Sequence, residues 1–223
     1  MGLHLYCITT SAHASMQPGT RGIDGAIVRT ITAGDVAAVV SAHNRRPDAS
    51  MAAIRAHNAV VVAAMDEQCT PVPIRFGQWL EDDEAVRAAL DADAARWGGL
   101  LRRFAGCAEF AIRIFDPGLS EEGPVPPPKT GRDYMEALAA RVSGPAASQT
   151  QAVAPLQDAL RGITISEIVE PLRTAHGVAS VACLVHRAHF NAYQTAVEKV
   201  RTSLPHFRYL STGPWPPYSF VTE

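Results

Sequence analysis

The order of strands and helices in the second half of this sequence constrains its fold most strongly. Apolar alternation at 107–115 predicts a strand with Phe110, Ile112 and Ile114 on one face. A helical region follows, and then two strands, a helix and a last strand, at 163–170, 179–186, 190–204 and 207–210. Strand, helix, strand, strand, helix, strand is the order of the split βαβ unit. The pattern therefore predicts a ferredoxin-like (βαββαβ) C-terminal domain over 106–223.

The first half of the sequence predicts a separate N-terminal α+β domain over 1–105. The predicted elements are strands at 3–8, 26–31, 35–41 and 70–79, and helices at 51–67 and 81–104. The fold class is therefore α+β with two domains. The second domain would carry a Pro-rich loop at 116–129, a helix start near Thr130, and a tail at 211–223.

The helix that Ser50 is expected to cap has a single predicted apolar face, interrupted by polar side chains. At 100° per residue, this face contains Met51, Ile54, Val61 and Met65. Asn58 falls within the face and His57 at its edge. Because buried polar groups need partners, we expect both to hydrogen-bond to neighbouring backbone rather than to a ligand.

Four acids at 81–84 predict the start of the next helix, where they suit the helix dipole, rather than a metal site. That helix is predicted to run unbroken to Gly106, which would end it. Its apolar face contains Val86, Leu90, Trp97, Leu101 and Phe104.

The tail combines three prolines with large aromatic side chains. Prolines stiffen the backbone, and Trp215, Tyr218 and Phe220 carry more apolar surface than a frayed end leaves in water. We therefore expect the tail to dock on its own chain, in the face between the two domains. On this view Trp215→Ala would impair stability and the domain arrangement first.

Composition excludes several classes of function. The formal net charge is −2, and Lys129 and Lys199 are the chain's lysines, so no basic stripe for nucleic acid is present. The apolar runs are too short to cross a bilayer, and the start of the sequence lacks the pattern of a secretory signal. We therefore predict a cytoplasmic protein with neither nucleic-acid nor membrane partners.

The sequence contains no motif for catalysis, cofactor binding or metal binding. Phosphate-binding glycine loops, the nucleophile elbow and the paired-histidine zinc motif are missing from the sequence. The cysteines are widely spaced and predicted to be buried free thiols: Cys7, Cys69, Cys107 and Cys183. We predict that the chain is not an enzyme, although a cysteine–histidine pair formed in space stays open.

Four stretches of the sequence resemble a known family in the correct order. The most specific is the C-terminal Gly213-Pro214-Trp215-Pro216-Pro217-Tyr218-Ser219-Phe220-Val221. The others are His57-Asn58-Ala59-Val60-Val61, Thr70-Pro71-Val72-Pro73-Ile74-Arg75-Phe76-Gly77 and Gly131-Arg132-Asp133-Tyr134-Met135. Together they resemble the gas vesicle protein F/L family over nearly the whole chain.

The resemblance implies an accessory or minor structural protein required for gas vesicle assembly, located at the gas vesicle. Members are expected to bind the small, hydrophobic major shell protein during nucleation and to limit its aggregation, together with other accessory proteins. The candidate contacts in this chain are Arg75, Phe76, Trp215, Tyr218 and Phe220. We expect Trp215→Ala to impair vesicle formation through its effects on stability and on the domain arrangement. A regulatory module that binds a small molecule is the alternative that the ferredoxin-like domain leaves open.

Overall fold

The computed structural model describes residues 1–14, 19–66, 69–118, 148–172, 174 and 176–221. The chain divides into two compact units, one of Met1–Glu109 with Pro214–Glu223 and one of Phe110–Gly213. The sequence prediction placed the whole tail in the second domain. The structure groups its last part with the first unit, because side chains there bond to residues of that unit, as described below.

The sheet of the first unit is centred on its first strand. The strands are β1 Gly2–Thr10, β2 Val28–Ala33, β3 Val36–His43, β4 Val72–Pro73 and β5 Trp79–Leu80. All residues of β1 except the last are buried, as expected for a strand with neighbours on both sides. Strand β1 pairs antiparallel with β3 along its whole length, and β2 completes a hairpin with β3.

The predicted strand at 70–79 is in fact two short strands, β4 and β5, each antiparallel to β1. Between them Gly77 has a φ of 94°, a conformation that favours glycine and interrupts strand pairing. Pro73, which lacks an N–H, ends β4.

The α-helices in the described part of the first unit are α1 Met51–Ala63, α2 Asp83–Ala92 and α3 Ala94–Phe104. As predicted, the Ser50 side chain caps α1 by accepting a hydrogen bond from the Ala53 amide. The prediction of one unbroken helix over 81–104 is wrong, because the chain leaves helical geometry at Asp93. Aspartate is a poor residue for a helix interior, since its side chain competes with the backbone for hydrogen bonds.

The predicted buried face of α1 is confirmed at Val61 and wrong at Met51 and Ile54. The residues that α1 buries are Ala53, His57, Val60 and Val61. Met51 is 65% exposed and Ile54 40% exposed, although both were predicted to lie in the core. The helix is therefore rotated so that a histidine and small residues face inward while larger apolar side chains face outward.

The second unit is built on a four-stranded sheet. Its elements include β6 Cys107–Phe115, β7 Thr164–Pro171, β8 Gly177–His186, α5 Phe190–Ser203 and β9 Arg208–Trp215. Residues 148–160 form the described part of α4, between β6 and β7. The strand order is β7-β8-β6-β9, which is the spatial order of the split βαβ arrangement. Helices α4 and α5 contribute to one core cluster with the strands.

Strand β9 is longer than the predicted 207–210 and absorbs the first residues of the predicted tail. Pro214 lies within it, which is tolerated because β9 is an edge strand and needs no outward N–H donor there. The predicted helix start at Thr130, most of the Pro-rich loop and the motif at 131–135 lie outside the described residues.

Two glycines provide a test of the packing of the first unit. A Cβ at Gly22 would clash with the Tyr6 hydroxyl, whereas Gly99 in α3 has open space around it. We expect Gly22→Ala to lower the free energy of unfolding by about 1–3 kcal/mol. Gly99→Ala should raise it by about 0.5–1 kcal/mol, because alanine favours the helix. Urea midpoints measure both, and equal shifts for the two variants would contradict this packing.

Candidate interaction site

A pair of buried histidines connects α1 to the centre of the first sheet. His4 on β1 is 0% exposed, and its Nε2 lies 2.8 Å from Nδ1 of His57. Nε2 of His57 lies 2.9 Å from the carbonyl oxygen of Ile74. Because a carbonyl can only accept, His57 donates from Nε2 and accepts at Nδ1 from the Nε2–H of His4. This arrangement needs a neutral His57, and a charge on His4 would add an Nδ1–H with no partner among the described atoms.

The surroundings of these histidines favour the neutral state. Burial lowers the pKa of His4 to about 3, and the neighbouring His57 and His43 act in the same direction. Burial also lowers the pKa of His57, against the opposing effect of its hydrogen bond to Ile74. The prediction that His57 bonds to neighbouring backbone is thus confirmed for Ile74, and the second histidine was not foreseen.

A second set of polar groups ties β1 to β3. The Tyr6 hydroxyl lies 2.6 Å from the Ser41 hydroxyl and accepts a hydrogen bond from the Ile23 amide at 3.1 Å. The Ser41 hydroxyl in turn lies 2.8 Å from Nε2 of His43. These bonds satisfy polar groups that burial would otherwise leave without water.

Aromatic packing brings the separate motifs of the sequence together around the histidines. The Phe76 ring centroid lies 5.2 Å from that of His4 and 5.7 Å from that of His57. Phe76 and Tyr218 both pack against the core cluster that contains Tyr6 and Val60. The helix motif at 57–61, the segment at 70–77 and the tail therefore meet within the first unit.

The last part of the tail is anchored by a buried carboxylate on β6. Glu109 is 7% exposed, and its two carboxylate oxygens accept from the Ser219 amide at 2.9 Å and the Ser219 hydroxyl at 2.7 Å. Burial raises the pKa of Glu109, and the two bonds from Ser219 oppose that rise. Arg96 donates to the Val221 carbonyl at 3.1 Å. The C-terminal segment 216–221 is thus held at two points.

The five predicted contact residues differ widely in accessibility. Phe220 is 1% exposed, whereas Trp215 is 43% exposed. Arg75 is exposed, and Phe76 and Tyr218 are half-buried against the core. The expectation that Trp215 is buried with the other tail aromatics is wrong, because it ends the edge strand β9 before the chain turns inward at two buried prolines.

Sequence reasoning missed His4, Glu109 and Ser219. His4 lies in an ordinary apolar strand and gave no signal. Glu109 falls on the strand face opposite Phe110 and Ile112, which predicts a solvent-facing carboxylate. A lone acid in the apolar first half of the strand was the available signal.

The environment of the cysteines and of the potential metal ligands bears on catalytic and metal chemistry. All four cysteines are free and buried, as predicted, and burial raises the pKa of Cys7, which opposes formation of the reactive thiolate. Within the described ranges, no three potential metal ligands cluster. No described helix is long and apolar enough to cross a membrane.

A pocket of about 430 Å³ in the second unit bears on the small-molecule alternative. It is lined by Phe115, Pro117, His176, Arg208, Tyr209 and Leu210. Small-molecule sites are usually apolar concavities with a few polar groups, and this lining has that general form. The pocket is therefore the place where the small-molecule alternative would put its ligand.

The model of the family described as "Gas vesicle synthesis protein GvpL/GvpF" matches residues 2–222. The chain belongs to this family. Gas vesicle protein L of Streptomyces sp. (strain CB03234) is 28% identical to it, with 98% of this chain and 92% of the relative covered. Gas vesicle protein F2 of Halobacterium salinarum is 23% identical, with the same coverage.

Solved structures show the same fold. GvpF from Anabaena sp. PCC7120 matches with a TM-score of 0.84 and 18% identity, covering 100% of this chain and 96% of that one. GvpF from Microcystis aeruginosa matches with a TM-score of 0.81 and 18% identity, covering 100% and 99%. These matches confirm the α+β fold. Family membership supports a role in gas vesicle assembly, and the family is not a known enzyme family.

The buried histidines predict a loss of stability in acid. The folded pKa of His4 is about 3, below its unfolded value of about 6.5, so stability falls as pH decreases from 6.5 toward 3. At pH 5, His4 alone should lower the free energy of unfolding by about 2 kcal/mol relative to neutral pH. Urea titrations at pH 7 and pH 5 measure the change.

A matched pair of variants isolates this effect. His4→Gln keeps a donor for His57 but cannot titrate, so it should remove most of that pH-dependent loss. Burial raises the pKa of Glu109, so its protonation in acid stabilises the folded state and opposes the effect of His4. The measure is therefore the difference in pH dependence between His4→Gln and wild type. The exposed His206, changed to Gln, should retain the wild-type profile. An unchanged profile in His4→Gln would contradict the assignment.

The tail aromatics should differ in their effect on stability. Phe220→Ala should cost about 3–5 kcal/mol, because it empties a fully buried site. Trp215→Ala should cost about 1 kcal/mol, because the side chain is substantially exposed. Thermal and urea unfolding measure both changes in stability. A larger loss of stability for Trp215→Ala than for Phe220→Ala would contradict this ranking.

Proposed function

We propose that this chain binds the small, hydrophobic major shell protein during nucleation of the gas vesicle and limits its aggregation. The observation that carries the proposal is the match of a gas vesicle synthesis family to residues 2–222. The chain would act in the cytoplasm at the growing vesicle, together with other accessory proteins. It would need no cofactor, because apolar contact alone shields an aggregation-prone surface.

Accessibility narrows the contacts that we propose within the five predicted residues. Arg75 and Trp215 are exposed and are available to a partner. Arginine and tryptophan are also the residues most enriched at interface hot spots. Phe76, Tyr218 and Phe220 would act indirectly, by holding the backbone that presents them.

Co-expression of the gas vesicle genes with and without this chain tests the proposal. We expect vesicles to be lost without the chain and restored when it is supplied. We also expect the major shell protein to co-purify with the tagged full chain. Formation of normal vesicles in the absence of this chain would contradict the proposal.

Variants test the proposed contacts separately. Trp215→Ala and Arg75→Ala should each lower recovery of the shell protein about tenfold, the loss expected for a contact worth about 1.4 kcal/mol. Arg113→Ala, at an exposed position of β6, is the matched control and should retain binding. If all three variants recover as much shell protein as wild type does, Arg75 and Trp215 are excluded as contacts.

A further inference from the structure

Helix α1 presents apolar side chains in two directions. Its inward face packs on the core, as described above. On the outward face Met51 is 65% exposed, and Ile54 and Val62 are each 40% exposed. At 100° per residue these three positions fall within an arc of about 80°. We call Met51, Ile54 and Val62 the outward stripe of α1.

This outward surface is unusually poor in charge for a solvated helix. Among the residues of α1, Arg55 is the single charged side chain. The shorter α2 carries four, Asp83, Glu84, Arg87 and Asp91. A surface helix normally places charged residues opposite its buried face. The outward surface of α1 instead combines the stripe with exposed alanines at 52, 59 and 63, which allow close approach of another helix.

Arg55 places one positive charge on this surface. At 100° per residue Arg55 falls beside Met51 and Val62, between the stripe and the exposed alanines, and so near the middle of the outward surface. In the part of the chain that the structure describes, no carboxylate forms an ion pair with Arg55. A partner that covers the stripe must either supply a negative charge opposite Arg55 or leave a cation without water.

We infer that the outward stripe of α1 binds an amphipathic helix of the major shell protein, whose apolar face carries a carboxylate that pairs with Arg55. This inference rests on the proposed function for the identity of the partner. The geometry itself supplies the chemistry, an apolar helical surface with one unpaired cation at its centre. Helices with apolar anchors at three- and four-residue spacing recognise such surfaces.

Charge also argues against a second copy of this chain as the occupant. In a two-fold antiparallel pairing of α1 with itself, residues near the middle of the outward surface approach their own symmetry mates. Arg55 would then face Arg55 of the other copy, and like charges at close range in a desolvated contact oppose association.

The test uses the full chain, tagged and co-expressed with the major shell protein. Ile54→Glu and Arg55→Glu should each lower recovery of the shell protein at least tenfold. Thr195→Glu, at an exposed position of α5, is the matched control and should bind like wild type. Melting temperatures of the variants should stay close to wild type, because all three positions are exposed.

A charge reversal in the shell protein completes the test. Changing each Asp and Glu of its helices to Arg in turn should give one variant that restores recovery with Arg55→Glu. If wild type recovers the shell protein and both α1 variants do so equally well, the α1 inference fails while the proposed function stands. If wild type itself recovers no shell protein, both fail. Rescue in no reversal variant would overturn the pairing with Arg55.

Discussion

The first unit depends on one buried chain of hydrogen bonds, from His4 on the central strand through His57 on α1 to the carbonyl of Ile74. Two imidazoles in a core are costly unless each is neutral and bonded. The pairing gives hydrogen-bond partners to three of the four ring nitrogens. Nδ1 of His4 has no partner among the described atoms. Three elements that are distant in sequence must therefore be in place together, which makes this contact more specific than apolar packing of the same area.

The histidine pair also decides how α1 is oriented. For His57 to reach His4, the helix must turn His57, Val60 and Val61 inward, and Met51 and Ile54 then face solvent. The polar contact in the core and the apolar stripe on the surface are two consequences of one rotation. A sequence that buried Met51 and Ile54 instead would leave His4 without its partner.

The tail shows the same principle on a smaller scale. Its prolines set the path, but the position of the C-terminal segment is specified by the Ser219–Glu109 bonds and by burial of Phe220. Two hydrogen bonds to one carboxylate fix the position and direction of the donating segment, whereas burial of an aromatic ring alone allows several arrangements. The segment most recognisable in the sequence therefore serves largely to complete the first unit, and Trp215 at its start is the aromatic left accessible.

Local patterns in the sequence determined the fold class, most strands, the Ser50 cap and the free, buried cysteines, because alternation, capping and the burial preference of cysteine act over a few residues. The family also followed from short motifs. The inward face of α1, the break at Asp93 and the exposure of Trp215 were decided by tertiary structure. Helical periodicity ranks faces by hydrophobicity, and it cannot register that a histidine finds its partner 53 residues away in sequence. Nor can strand alternation show that a distant tail will cover Glu109, since burial there depends on contacts that form only when the chain is folded.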